Sequence, residues 1–278
     1  MFTKSCAEQL FGAPRRSTTQ PMTSMNTREN KSRQVKLAQH QIEAFYSDRL
    51  ANDQIVHFQK LVGSDLISKI RVVVDVGGGC GHFARQLVEK TGLQTRVVDS
   101  DQLSIENCKR DYGDHLEAEV GDALKPQIYG DEDVVCFNLI LHHLVGSTES
   151  ETRALQKQAL IAWREQAKTI FINEYIYDSF IKGFSGRIIY EITRSPFLSV
   201  LGRLVGTFIP SLKANTFGIG VRFRAHHEWI ELFEECGFRL IKSEYGRLER
   251  ISLPRRILLI KRKKRDSFLL QSNNEYRD

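Results

Sequence analysis

Arg71-Val-Val-Val-Asp-Val-Gly-Gly-Gly-Cys-Gly81 is the stretch that decides the fold of this 278-residue chain. Its β-branched half is typical of a buried strand, and its glycines allow a sharp turn in which the backbone can lie against a ligand. A helical pattern from His82 to Thr91 follows. Strand, glycine-rich turn and helix in this order are typical of the beginning of a nucleotide-binding α/β unit.

Strand and helix patterns continue to alternate after this unit. The predicted strands are Thr95 to Asp99, Leu116 to Val120, Asp133 to Leu139 and Thr169 to Glu174, and the predicted helices are Leu103 to Tyr112 and Glu149 to Gln166. This alternation predicts a parallel sheet covered by helices on both faces. After an irregular region, the pattern resumes with a helix at His226 to Cys236 and strands at Phe238 to Ser243 and Ile257 to Ile260.

The two ends of the chain differ from its centre. Residues 1–35 are rich in Ser, Thr, Arg, Asn and Gln and contain only two acids, which favours a disordered tail. All three methionines lie there, so a later translation start and an organelle transit peptide both stay open. We predict a domain at 36–265, with an insertion at about 176–224, and a C-terminal tail at 266–278. Apolar positions at helical spacing from Leu37 to Val62 predict a helical cap on its sheet.

The composition excludes several classes of protein. With 41% hydrophobic and 27% charged residues, the chain is neither disordered as a whole nor multispanning. Its five cysteines are an odd number without a close pair, which favours reduced thiols in an intracellular protein. No run of about 18 apolar residues and no secretory signal are found. We therefore expect a cytoplasmic protein.

The glycine-rich turn raises the question of its ligand. Gly79-x-Gly81-x-x-Ala84 satisfies the dinucleotide fingerprint. However, the first glycine after the strand is Gly77, and from there the fingerprint requires glycine where the chain has His82. The carboxylate of Asp75 would also repel a pyrophosphate. A cationic or zwitterionic ligand therefore fits this turn better than NAD.

From Val72 to Ile260 the sequence resembles the class I S-adenosylmethionine-dependent methyltransferases. Val74-Asp-Val-Gly-Gly-Gly-Cys-Gly81 is similar to the motif that holds the amino-acid end of the cofactor in that family. The resemblance implies that Asp99 binds the ribose hydroxyls, because a carboxylate can accept both hydrogen bonds of a diol. It further implies an adenine site at Gly121-Asp122-Ala123. The implied cofactor contacts are Asp75, Gly77, Gly79, Gly81, Asp99, Asp122, Ala123, Asn138 and Tyr46, although packing explains Tyr46 equally well.

The acceptor side offers three candidate catalytic residues. Asn138 and Glu174 come at the ends of predicted strands, where ligands bind in open α/β sheets. His142 and His143 follow the fourth strand, and either could line the transfer cavity as a base. No metal ligand stands at a suitable spacing beside them, so we predict no metal site. The candidates are His142, His143 and Glu174, with His226 as a weaker base.

The resemblance implies a Rossmann-like class I methyltransferase fold. We expect α/β architecture, with a seven-stranded, mostly parallel sheet, helices on both faces, an N-terminal helical cap and a helical lid insertion. The implied reaction is methyl transfer from S-adenosylmethionine to an O or N atom of a small-molecule acceptor. The aromatic and basic residues of the insertion, Arg222 and Arg224 among them, suit an aromatic or lipid-like acceptor with a negative group. The alternative is a non-catalytic S-adenosylmethionine-binding or RNA-associated module.

Basic residues concentrate near the C-terminus. From Arg239 to Arg265 there are eleven Lys or Arg and two acids. A solvated tail is the favoured interpretation of the run Lys261–Arg265. Only Tyr245 interleaves with these charges, so a nucleic-acid partner is not expected. A peripheral membrane contact at Phe197 to Phe208 stays open, although its glycines weaken an amphipathic helix. The oligomeric state is left open.

Overall fold

Seven strands form one mixed sheet in this computed structural model, which describes residues 48–200, 204 and 220–273. The strands are β1 (Val72–Val76), β2 (Gln94–Asp99), β3 (Glu117–Val120), β4 (Glu132–Asn138), β5 (Thr169–Ser179), β6 (Phe238–Glu244) and β7 (Ile260–Ser272). Their order is β3-β2-β1-β4-β5-β7-β6. The first five strands are parallel, and β7 is antiparallel to both β5 and β6. The predicted sheet is therefore confirmed.

Helices cover both faces of this sheet. They are α1 (Asp48–Val62), α2 (Ser64–Ile67), α3 (His82–Thr91), α4 (Gln102–Tyr112), α5 (Glu149–Arg164), α6 (Phe184–Arg194), α7 (His226–Glu235) and α8 (Leu253–Arg256). A short 3-10 turn spans Leu141–His143. Helix α4 begins at Gln102, one residue before the predicted start, because the Asp101 side chain accepts from the Ser104 amide at 2.9 Å and caps the helix.

The alternation of side chains along β5 divides the core. Phe171 packs with Phe58 of α1 and Phe83 of α3, and the Phe171 and Phe58 ring centroids are 5.3 Å apart. The next residue, Ile172, belongs to the cluster of Trp163 and Trp229 from α5 and α7. Adjacent strand residues point to opposite faces of a sheet. Strand β5 is therefore mostly apolar, because helices cover it on both faces.

Strand β7 corrects the predicted C-terminal boundary. The domain does not end at residue 265, since β7 continues to Ser272 and pairs with both neighbours. The run Lys261–Arg265 is not a solvated tail but the first part of this strand. Lys264 is buried, with Nζ 2.6 Å from Oδ2 of the buried Asp266. That ion pair lets a basic segment enter the fold.

The insertion also begins later than predicted. Residues 176–179 still belong to β5 and pair with β7, and α6 follows as a helix of the insertion. Residues 201–203 and 205–219 lie outside the described part, together with the predicted tail at 1–35. Most of the segment Phe197 to Phe208, where the sequence leaves a membrane contact open, lies there too. Among the described residues, no helix has the length and hydrophobicity needed to cross a membrane.

Candidate functional site

The turn after β1 requires glycine for two reasons. Gly77, Gly79 and Gly81 have φ angles of 70°, 55° and 81°, in the left-handed region that other residues rarely adopt. A Cβ on Gly81 would lie 2.6 Å from Sγ of Cys108 in α4. A Cβ on Gly77 would collide with the side chain of Ile140. The turn therefore brings β1, α4 and the end of β4 close to one another.

Asp75, on β1, is a fully buried carboxylate that is only half satisfied. Its Oδ1 accepts from Nδ2 of Asn138 at 2.9 Å. Its Oδ2 and the Oδ1 of Asn138 have no hydrogen-bond partner in the described part of the chain. Burial raises the pKa of Asp75 to about 7, against the lowering effect of the Asn138 bond and with a smaller contribution from Asp99. A cationic group donating hydrogen bonds here would satisfy both oxygens.

Asp99 ends the neighbouring strand β2. Its Oδ2 accepts from the amide of Gly79 at 2.9 Å, and its Oδ1 accepts from the amide of Asp101 at 2.8 Å. Burial raises the pKa of this carboxyl above its ordinary value. Each carboxylate oxygen can accept two hydrogen bonds, so both oxygens can still accept from a diol. The structure brings Asp99 directly against the glycine-rich turn, as the sequence implies.

Asp122 and Ala123 follow β3 on the far side of Asp99. Oδ1 of Asp122 accepts from the amide of Leu124 at 2.9 Å, which stabilises the turn. Ala123 is buried, and its carbonyl accepts from Nε1 of Trp163 at 3.0 Å. With β3, β2, β1 and β4 adjacent, these residues and Asn138 form one row along the carboxyl edge of the sheet. Tyr46 lies outside the described residues.

His142 and Glu174 form a buried pair at the end of this row. Nδ1 of His142 is 2.8 Å from Oε2 of Glu174, and the His142 amide donates to Oε1 at 3.3 Å. The amide of Tyr175 donates to Oε2 at 3.1 Å. Since a carboxylate only accepts, Nδ1 is the donor of this bond, and in the neutral imidazole the lone pair is then on Nε2. Glu174 thus fixes the orientation and the tautomer of the ring.

His143 differs from His142 in its surroundings. Its ring centroid lies 4.1 Å from that of His142. Burial, followed by the neighbouring His142, lowers the pKa of His143 well below its ordinary value. His143 is therefore uncharged at neutral pH. It adds an aromatic face beside the His142–Glu174 pair.

Two aromatic residues at this site, Tyr175 and Tyr177, are missed by the sequence analysis, which includes Phe223 only among the aromatic residues of the insertion. The ring of Phe223 stacks between His142 at 4.9 Å and Tyr177 at 4.3 Å. Tyr175 meets Phe223 edge-on at 5.9 Å. The spacing Tyr175-x-Tyr177 after Glu174 was a usable signal, because alternate residues of a strand share a face. No local signal placed Phe223 beside His142, because it comes from the far end of the insertion.

Two buried arginines, Arg222 and Arg224, hold Phe223 in position. This corrects the expectation that they bind a negative group of the acceptor. Nε of Arg222 is 2.7 Å and Nη1 of Arg224 3.0 Å from the carboxylate of Glu149 in α5. Arg224 also donates to Oε1 of Gln156 at 2.7 Å, and burial with the nearby Arg222 lowers its pKa to about 10. The amide of Arg222 donates to the His142 carbonyl at 2.9 Å. Both guanidinium groups thus lie in ion pairs.

His226, the weaker base candidate, belongs to a different pair. Its Nδ1 is 2.7 Å from Oδ2 of Asp266, the oxygen that Lys264 also contacts. The carboxylates of the two histidine pairs are neighbours, since Glu174 and Asp266 are opposite each other in the β5–β7 register. No group of three or more His, Cys, Asp or Glu that could hold a metal occurs among the described residues.

Comparisons with known proteins bear on the fold. No protein-family model and no curated protein sequence match the chain. The chain is similar to the solved structure of the MccD protein, with 13% identity and a TM-score of 0.54 over 79% of this chain and 96% of that one. It is also similar to mitomycin 7-O-methyltransferase MmcR, with 15% identity and a TM-score of 0.50 over 80% of this chain and 54% of that one. A third similar structure is Haemonchus contortus phosphoethanolamine N-methyltransferase 2, with 11% identity and a TM-score of 0.51 over 80% of this chain and 52% of that one. The chain spans about half the length of the two methyltransferases. At these identities the likeness shows the fold alone, a Rossmann-like α/β fold with a seven-stranded sheet.

Proposed function

We propose that this chain is an S-adenosylmethionine-dependent methyltransferase that methylates an O or N atom of a small molecule. The observation that carries the proposal is the half-satisfied Asp75–Asn138 pair beside a glycine-rich turn, next to Asp99 on the adjacent strand. A buried carboxylate without its full set of partners costs stability. A ligand cation in this place would bind both unsatisfied oxygens. The neighbouring carboxylate of Asp99 would accept hydrogen bonds from a diol of the same ligand.

The cofactor fits the residues at the carboxyl edge of the sheet. Asp75 and Asn138 would hold its ammonium group, Asp99 its ribose hydroxyls, and Asp122 with Ala123 its adenine. Gly77, Gly79 and Gly81 would let the backbone approach it closely. When bound, S-adenosylmethionine would supply an electrophilic methyl group on its sulfonium, and the neutral thioether would be the leaving group. The remaining task of the protein is to hold an acceptor atom in line with that methyl group.

His142 is the proposed general base on the acceptor side. Glu174 holds its Nδ1, so Nε2 can take a proton from an acceptor hydroxyl as its oxygen attacks the methyl group, or from an acceptor ammonium group before its nitrogen attacks. Glu174 would also stabilise the imidazolium that results, because an opposite charge lies within 3 Å of the ring. This arrangement favours His142 as the base, with Glu174 in a positioning role, over His143, whose pKa is held low by burial.

The rings around His142 favour an aromatic or otherwise flat apolar acceptor. Phe223, Tyr175 and His143 contact the His142 ring, Tyr177 stacks on the far side of Phe223, and all four side chains are partly exposed. Aromatic faces and edges of this kind bind planar groups by stacking and edge contacts. The arginines of the 220–225 segment are engaged with Glu149, so they do not support a negative group on the acceptor. A membrane-derived, lipid-like acceptor is compatible with the same rings.

The alternative function is non-catalytic binding of S-adenosylmethionine. The same Asp75, Asn138 and Asp99 would serve a binding module, but such a module has no use for a buried base held in one tautomer. The His142–Glu174 pair therefore favours the enzyme. The RNA-associated version has less support, because Lys264 of the basic run is buried in an ion pair.

A labelled-methyl transfer assay against fractionated small-molecule extracts tests the proposal. Wild-type protein should transfer label to an acceptor, and His142→Ala should lower the rate about 10²–10⁴-fold, the range for removing a general base. His115→Ala, at an exposed histidine, is the matched control and should retain the rate. If wild type binds cofactor yet labels nothing across all fractions, the non-catalytic alternative is correct.

A further inference from the structure

Two loops distant in sequence meet at the outer end of the β5–β7 pair. Ser179, the last residue of β5, pairs with Ile260, the first residue of β7. The amide of Phe180 donates to the Leu259 carbonyl at 3.0 Å, and Oγ of Ser185 donates to the Leu258 carbonyl at 2.7 Å. These bonds join residues 180–187 to residues 250–262, which include α8. We call the combined surface the β5–β7 tip.

The β5–β7 tip exposes large apolar side chains. Their exposed fractions are 63% for Phe180, 57% for Ile181, 81% for Leu253 and 79% for Ile257. Single exposed apolar residues are ordinary, but several close together mark an interaction surface. Three of these four are aliphatic. Phe184 of the same segment is 36% exposed, and aliphatic side chains still form most of this apolar surface.

The same surface is strongly basic. Residues 180–187 and 250–262 contain seven Lys or Arg and no Asp or Glu. Lys182, Arg256 and Lys261 are exposed. Two acids lie near this surface: Asp178 on β5 is 4.0 Å from Nε of Arg262, and Glu228, whose Oε1 lies beside Gly183, is paired with Arg222. Apolar side chains beside basic ones, in two segments that contain no acid of their own, are complementary to a surface that is negatively charged outside and apolar inside.

We propose that the β5–β7 tip binds the surface of an anionic lipid bilayer. Phe180, Ile181, Leu253 and Ile257 enter the boundary between headgroups and acyl chains, while the basic side chains contact the headgroups. This mode of binding needs no membrane-spanning helix. The inference does not depend on the proposed methyl transfer, because it uses none of the residues of the carboxyl edge.

Vesicle co-sedimentation with the full-length protein tests this inference. Wild type should bind vesicles of phosphatidylcholine with about one third phosphatidylserine and should bind pure phosphatidylcholine vesicles much more weakly, since each basic residue adds about fivefold to binding at an anionic surface. The double variant Leu253→Asp/Ile257→Asp should lose at least about tenfold in partitioning, because two apolar anchors become charged. Lys182→Gln/Lys261→Gln should lose about 25-fold on the anionic vesicles only.

Matched controls separate membrane binding from other effects. Val56→Asp places the same charge at a half-exposed apolar residue of α1 and should bind vesicles like wild type. Circular dichroism melting identifies any variant that fails to fold. The inference is wrong if wild type does not distinguish anionic from neutral vesicles. It is equally wrong if Leu253→Asp/Ile257→Asp alters only self-association in light scattering, or if only a labelled single-stranded RNA binds.

Discussion

Replacing Asp75 with asparagine should stabilise the ligand-free protein at pH 8 while abolishing cofactor binding. Asp75 is fully buried, with one oxygen bonded to Asn138 and the other without a partner in the described chain. Asparagine has the same size and still offers an oxygen to Nδ2 of Asn138. It removes the charge that burial disfavours, and it also removes the charge that we expect an ammonium group to need.

The magnitude follows from the pKa of Asp75, which burial raises from 3.8 to about 7. A difference of about 3 in pKa corresponds to about 4 kcal/mol. Because the pKa is higher in the folded state, the folded protein binds more protons between pH 4 and 7, and its stability falls as pH rises through that window. Above pH 7 the buried carboxylate is ionised, and its destabilising effect on the folded protein approaches its full value. The free energy of unfolding of Asp75→Asn should therefore exceed that of wild type by up to about 4 kcal/mol at pH 8. At pH 5 this difference should be smaller by about 2.6 kcal/mol.

Urea unfolding of ligand-free wild type and Asp75→Asn at pH 5 and pH 8 measures this difference. Asp65→Asn, at an exposed position of α2, is the control and should show no such pH dependence. A variant that is less stable than wild type at pH 8, or whose advantage is the same at both pH values, would refute the assignment of a strained buried carboxylate. Retained cofactor affinity in Asp75→Asn would refute its role toward the ammonium group.

Three further predictions concern the acceptor side. Glu174→Gln should lower kcat and displace the pH–rate profile, because the imidazolium loses its charged partner; an unchanged profile would contradict the positioning role. Phe223→Ala should raise KM for an aromatic acceptor about tenfold with a smaller effect on kcat, as expected for the loss of one stacking contact; equal KM values would contradict stacking. Arg224→Met should lower the free energy of unfolding by about 3 kcal/mol, because Glu149 and Gln156 lose a buried partner; a change below about 1 kcal/mol by urea unfolding would show that the ion pair is dispensable.

The sequence predicted those parts of the site that local signals determine. The run Val72–Val76 with its glycines gave the first strand and turn, and Asp99 followed from the end of the next strand. These residues meet because the carboxyl ends of adjacent parallel strands lie at one edge of the sheet. Local order along the chain was therefore enough to bring Asp75 and Asp99 together.

The parts that the sequence did not predict depend on long-range contacts. A basic run such as Lys261–Arg265 is typical of a solvated segment until Asp266 is seen to be buried beside Lys264. Phe223 reaches His142 only because Arg222 and Arg224 pair with Glu149, more than 70 residues away along the chain. Neither the register of β7 nor the partner of a buried arginine is visible in a local pattern.

Calorimetric titration with S-adenosylhomocysteine, the demethylated cofactor, tests the central claim most directly. The account predicts saturable binding of one molecule per chain, with affinity that weakens as pH falls below 7 because Asp75 becomes protonated. Asp99→Ala should lose about 2 kcal/mol or more, the value of hydrogen bonds to a charged group. Absence of binding by wild type, or equal affinity of Asp99→Ala, would contradict the claim that the carboxyl edge of this sheet holds the cofactor.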